Sequence, residues 1–159
     1  INGDSLGFYS GFKKVSENYS GYSGADVAQY NLGISYLNNR EYENAIKTLK
    51  KVSFDDELLG TVSLGAIGDA FLQLGSVSDA LDYYNKAYKR RDNDLTSPMY
   101  MMKAALCLEA QGDFEMAIKV YKELYLKYPN STQAINAEKY MESLKLGNPV
   151  FKFETNNAE

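Results

Sequence analysis

One block of sequence returns three times, and this repetition constrains the fold more than any other feature of the chain. It reads NLGISYLNNREYENAIKTL around Ala45, AIGDAFLQLGSVSDALDYY around Ala80 and KAALCLEAQGDFEMAIKVY around Ala117. The anchoring alanines are 35 and 37 residues apart. Self-similarity at this period marks stacked two-helix units, each unable to bury its apolar face without a neighbour.

The copies share an internal order. A small residue (Gly33, Gly68, Ala105) is followed three positions later by a large apolar one (Tyr36, Phe71, Leu108). Turns are expected at Asn39-Arg40, Gly75-Ser76 and Gly112-Asp113. An apolar residue (Tyr42, Val77, Phe114), the alanine and a bulky residue (Leu49, Tyr84, Tyr121) complete each unit. Two helices approach closely only where one side chain is nearly absent, and bulky neighbours fill the space beside that contact.

These residues resemble the tetratricopeptide repeat family over residues 26 to 129. Gln29, Leu64 and Met101 stand where that family has its tryptophan, and its closing proline occurs once, as Pro129. The resemblance implies an all-α solenoid of antiparallel helix pairs wound into a right-handed superhelix. Eight helices are expected, at 8–20, 25–39, 41–53, 57–74, 76–91, 97–111, 113–128 and 131–146. The first is half of an earlier repeat, with Phe8, Phe12, Val15 and Tyr19 on one face and Gly11 matched to Ala45. The full repeats span about 26–59, 61–94 and 98–129, and 131–146 caps the array. Residues 1–147 thus form a single repeat domain, followed by an extended tail, 148–159.

Local signals support this punctuation. Ser76 with Asp79 reads as a capping box, and Ser97 before Pro98 reads as a helix cap followed by a first-turn proline. The stretch RRDNDLT (90–96) lengthens the second step and reads as an exposed insertion. Lys89-Arg90-Arg91 places cations at a helix C-terminus, where the helix dipole favours them. The pairs Asp55-Asp56 and Asp92/Asp94 read as caps and solvated loop residues. Tyrosine strips at helical spacing, such as Tyr121/Tyr125/Tyr128, read as packing between repeats.

Nothing in the sequence points to chemistry. The chain has no histidine, which removes the commonest general base and metal ligand. Its one cysteine, Cys107, lies within AALCLEA and reads as a small core residue. No phosphate-cradling glycine motif occurs. No catalytic residue, cofactor or metal is therefore expected. A net charge of −4 without a basic cluster disfavours nucleic acid.

A repeat solenoid usually works as a surface for another protein or peptide, and the first helix of each repeat forms the concave wall. Helical spacing places Tyr30, Ile34 and Leu37 there from the first copy, with Asp69, Leu72 and Gln73 from the second. The third contributes Met99, Met102, Leu106 and Glu109. Relatives in the repeat family that clamp a peptide carboxylate carry cations at these places. This wall is apolar with a few acids, so that ligand class is not expected. In the tail, Phe151 or Phe153 is expected to anchor on such an apolar surface of this chain or of a second copy, giving weak self-association.

The runs NGDSLGFYSGFKKVSENYSG, YNLGISYL, LGAIGDAFLQLG and SPMYMMKAALCLEAQGDFEMAIKVYKEL are similar to bacterial tetratricopeptide proteins of the envelope. Those carry one N-terminal membrane helix, expose their repeats outside the inner membrane and resemble translocon-associated factors. The resemblance implies a protein-binding scaffold on the periplasmic side, attached through a membrane helix upstream of Ile1. A cytoplasmic assembly adaptor is the alternative, and an enzyme or small-molecule carrier is the third reading.

Overall fold

The structure, a computed structural model, describes residues 11–18 and 23–150. Among them are eight helices: α1 (Phe12–Asn18), α2 (Ser23–Asn38), α3 (Tyr42–Leu49), α4 (Glu57–Gln73), α5 (Val77–Arg90), α6 (Thr96–Ala110), α7 (Phe114–Lys127) and α8 (Thr132–Lys145). The fold is the expected all-α repeat arrangement, consistent with a tetratricopeptide-type solenoid. The chain divides into two compact units after Ser76. In the first, α1 packs on α2, α2 on α3 and α3 on α4, and α2 also touches α4. In the second, α6 lies against α5, α7 and α8, and α7 packs on α8.

The repeated small residues do what their spacing predicts. Ala45, Ala80 and Ala117 are each fully buried, and the bulky residues four positions on, Leu49, Tyr84 and Tyr121, are buried beside them. Gly33 shows how tight such a crossing is. A Cβ built on it would lie 2.5 Å from Leu49 Cγ and 2.6 Å from Cδ2. Only a glycine lets α2 and α3 meet at this distance.

The helix ends repeat as closely as the helices. After α2, α4, α6 and α8 the chain turns through a left-handed residue: Arg40 (φ 63°), Gly75 (φ 76°), Gly112 (φ 78°) and Gly147 (φ 78°). The next N–H reaches back five residues each time, from Glu41 to Tyr36 (2.9 Å), Ser76 to Phe71 (3.0 Å), Asp113 to Leu108 (3.0 Å) and Asn148 to Ser143 (2.9 Å). This is the Schellman arrangement, which satisfies carbonyls a helix end leaves open. It also corrects the first turn by one position. Arg40-Glu41, not Asn39-Arg40, matches Gly75-Ser76.

Arg40 therefore holds a conformation its three counterparts leave to glycine. A left-handed L-residue costs about 1–2 kcal/mol, while glycine loses about 0.4–1 kcal/mol more chain entropy on folding. Arg40→Gly is expected to stabilise the protein by about 0.5–1 kcal/mol. Urea unfolding followed by circular dichroism checks this, and an unchanged or lowered midpoint contradicts it.

Other boundaries moved for local reasons. The third helix ends at Leu49 rather than at 53. Its last turn tightens into bonds from Lys51 N–H to Thr48 O (3.2 Å) and Val52 N–H to Leu49 O (3.1 Å). The chain then leaves the helix so that Phe54 can meet the Tyr30 ring edge-on, with centroids 6.1 Å apart. Asp56 restarts it by accepting the Leu59 N–H (2.7 Å), as its reading as a cap required. Of the helix expected at 8–20, the described part is Phe12–Asn18, and Phe12 is 43% exposed. Phe8 and Tyr19 lie outside the described residues.

The stretch 90–96 is exposed at Arg90, Arg91, Asp92, Asp94 and Leu95, as expected of an insertion, and side-chain hydrogen bonds hold it in place. Asn93 Oδ1 accepts the N–H groups of Leu95 (2.9 Å) and Thr96 (2.7 Å), so Asn93 holds the turn that leads into α6. Ser97 is not the cap. It sits inside α6, fully buried, where its hydroxyl accepts the Asn93 N–H (3.1 Å). Asp92 is neither a cap nor merely solvated. It accepts the Tyr128 hydroxyl proton and pairs with Lys127 Nζ at 2.7 Å, tying the loop to the end of α7.

That tether has a pH signature. The Lys127 ammonium first, and the Tyr128 hydroxyl second, hold the Asp92 carboxyl below its ordinary value. A depressed carboxyl adds stability above the unfolded value of 3.8, and this is lost as pH falls through the lower folded value. Thermal midpoints of the wild type and Asp92→Asn should differ at pH 7 and converge below pH 3.8. A gap that is constant with pH would show that the tether is not ionic.

Candidate functional site

The first helices of the repeats differ in character from the second helices. α3, α5 and α7 carry apolar residues on one face, as a helix covering a core does. α2, α4 and α6 carry them on more than one face, so each has apolar surface beyond what one neighbour buries. α6 is the extreme case, with most of its 15 residues buried. The wall expected from the sequence is drawn from these helices, and its two halves fall in the two units.

In the first unit, Tyr30, Ile34 and Leu37 follow one another along α2, all half-buried. Tyr30 is fixed by Phe54, and burial pushes its hydroxyl above the usual tyrosine range. On α4, Asp69 and Leu72 are half-buried and Gln73 is exposed. Gln73 Oε1 accepts the Tyr42 hydroxyl at 3.4 Å. The same unit has a separate concavity of about 230 Å³ among α1, α2 and α3, lined by Lys13, Glu17, Gln29, Tyr36, Lys47 and Lys51. Its character is polar and cationic, unlike the wall.

In the second unit, Met99, Met102, Leu106 and Glu109 are spaced by three, four and three residues along α6 and share one face. They are not equally available. Met102 is 9% exposed and belongs to the core formed with Tyr121, Leu124, Ala137 and Leu144. Leu106 is partly buried against that core, and Met99 is half-buried.

Glu109 is the residue whose environment the sequence did not reveal. It is 3% exposed. Its Oε1 accepts the Tyr121 hydroxyl at 2.6 Å, and its Oε2 accepts the Val150 backbone N–H at 2.9 Å. Burial first, and the carboxylate holding its proton second, push the Tyr121 hydroxyl well above the usual tyrosine range. Tyr121 stays a donor at any physiological pH, and Glu109 keeps the bonds a buried carboxylate requires. Neither partner is near in sequence, being 12 and 41 residues away. The only local signal is that Glu109 stands three residues before the left-handed turn, where α2, α4 and α8 have Leu37, Leu72 and Leu144.

The tail thus begins against α6. Phe151 and Phe153, the expected anchors, lie outside the described residues. Cys107 is buried in α6. Ser131 accepts the Ala134 N–H and starts α8. Among the described residues no group of histidine, cysteine, aspartate or glutamate side chains is placed to hold a metal ion.

The model of one protein family, described as "T7SS, ESX-1 secretion system protein EccA1, N-terminal domain", matches residues 9–150. The chain belongs to this family. No curated protein sequence matches it. The match runs from just before α1 to Val150, so the whole array described above, with its Glu109–Val150 contact, lies within the EccA1-type domain. No helix of this EccA1-type domain, among the described residues, is long and apolar enough to cross a membrane.

Proposed function

We propose that this domain is a protein-interaction module serving a bacterial secretion or export apparatus, with no reaction of its own. The observation that carries this reading is the apolar surface of the first helices. Tyr30, Ile34, Leu72, Met99 and Leu106 remain partly exposed on helices that already have a packing partner. Such a surface suits the apolar side chains of an extended or helical segment. The family name, which refers to a secretion system, supports the setting. The ligand class is a protein or peptide, rather than nucleic acid or a small molecule. A free C-terminal carboxylate is not the feature read by the wall, because no cation stands among its residues.

The setting we favour is the periplasmic side of the inner membrane, with attachment supplied by a membrane helix outside the chain described. A photocrosslinking amino acid at Leu106 or Ile34, incorporated in living cells, tests the role. A control position is Lys139, exposed on α8. Expected are adducts with exported chains or secretion components from 34 and 106, and none from 139. Equal labelling from all three positions, or none, overturns the reading. Protease treatment of spheroplasts tests the setting, since a periplasmic domain is degraded and a cytoplasmic one survives.

A further inference from the structure

We propose that the Glu109 carboxylate is a docking point for the main-chain N–H of an extended partner segment, and that in the free chain Val150 occupies it. This rests on the interaction role above and identifies what one position of the wall reads.

Three observations converge on it. The first is the substitution pattern: Glu109 replaces the leucine that α2, α4 and α8 carry three residues before their left-handed turns. A buried carboxylate is costly unless its oxygens are hydrogen-bonded, so packing alone does not account for it. The second is the division of labour between its oxygens. Tyr121 donates to Oε1, while Oε2 faces a backbone donor, Val150 N–H at 2.9 Å. A backbone donor carries no side-chain identity, and any extended segment can present one.

The third is how the chain reaches that point. Gly147 (φ 78°) turns it after α8, and Asn148 is held by its own N–H on Ser143 O (2.9 Å) and by the Ser143 hydroxyl on Asn148 O (2.7 Å). Pro149 has no N–H, so the next donor along the chain is Val150, and it meets Glu109. Yet the Val150 residue is 47% exposed. The strap 147–150 is held at Glu109 by a hydrogen bond rather than by deep burial of Val150. A partner that offers the same N–H and buries more apolar surface on Leu106 displaces it.

The test uses the full chain. Val150→Pro removes the Val150 N–H from Glu109 Oε2 and changes no residue of α6. The probe is a fluorescein-labelled peptide of residues 148–157, NPVFKFETNN, followed by fluorescence polarisation. Val150→Pro should bind it about tenfold more tightly than the wild type, the gain expected when nine-tenths of free chains have the point occupied. Methylating the peptide's valine nitrogen, or introducing Glu109→Leu into the Val150→Pro protein, should abolish that gain. Equal affinity for wild type and Val150→Pro, equal binding of the methylated peptide, or no binding to any chain overturns the proposal.

Amide exchange gives a second readout that needs no ligand. The Val150 amide should be protected in the wild type and lose protection in Glu109→Leu, while Asn148 stays protected in both. Rapid Val150 exchange in the wild type also overturns the proposal. If the peptide fails but crosslinks from residue 106 persist, the docking point falls and the interaction role stands.

Discussion

Tyr121→Ala should lower stability by about 3–5 kcal/mol, the range for deleting a large aromatic side chain from a core. Tyr121 is fully buried and meets Tyr140 edge-on, with centroids 5.9 Å apart. Its loss opens a cavity in the core shared by α6, α7 and α8, and also strips Glu109 of a donor. Tyr121→Phe separates the two effects. It keeps the ring, removes only the hydroxyl, and should cost about 1–3 kcal/mol, the range for leaving a buried polar group without its partner. Urea unfolding monitored by circular dichroism measures both. A loss below about 1 kcal/mol for Tyr121→Ala would mean the second unit is not built around this residue.

Leu49→Ala should cost about 2–5 kcal/mol, and its effect should depend on residue 33. Gly33→Ala alone sets two effects against each other. Alanine is favoured over glycine within a helix by about 1 kcal/mol, whereas an added methyl in a full contact costs about 1–3 kcal/mol. Here the collision is with Leu49 Cγ, the branch point of the side chain, which cannot swing aside as a methyl tip could. Leu49 itself is 1% exposed, so it has nowhere to retreat. The collision wins, and Gly33→Ala destabilises. Combining it with Leu49→Ala removes the collision and lets the new methyl fill part of the cavity. The double variant should therefore be more stable than the two single losses imply, by about 0.5–3 kcal/mol. Strict additivity would show that the two residues do not touch.

What could be read from the sequence was what neighbouring residues decide together. The alanines at 45, 80 and 117 marked buried crossings because a repeat imposes the same local demand three times. The helix cap at Asp56 was legible because a cap and the N–H it accepts lie three residues apart. The errors have the opposite cause. Asp92 looked like a solvated loop acid because its partners, Lys127 and Tyr128, lie 35 and 36 residues away. Ser97 looked like a cap because serine before proline usually is one, but α6 already begins at Thr96, whose N–H Asn93 Oδ1 accepts. The first turn was placed one residue early because Arg40 does the work of a glycine, and composition hides it. Glu109 was placed on the wall by spacing alone. Its bonds to Tyr121 and Val150 depend on α7 and on the chain beyond α8, which helical periodicity does not connect.

The lone thiol offers a means of watching one half of the molecule by itself. Cys107 is the chain's single cysteine, lies within α6 and is 2% exposed. A thiol reagent can reach it only when the helices around α6 part. Its labelling rate in native buffer therefore clocks the opening of the second unit, with the first contributing no signal. Comparing that rate with global unfolding by circular dichroism would show whether the segments on either side of Ser76 melt as one cooperative body or as two.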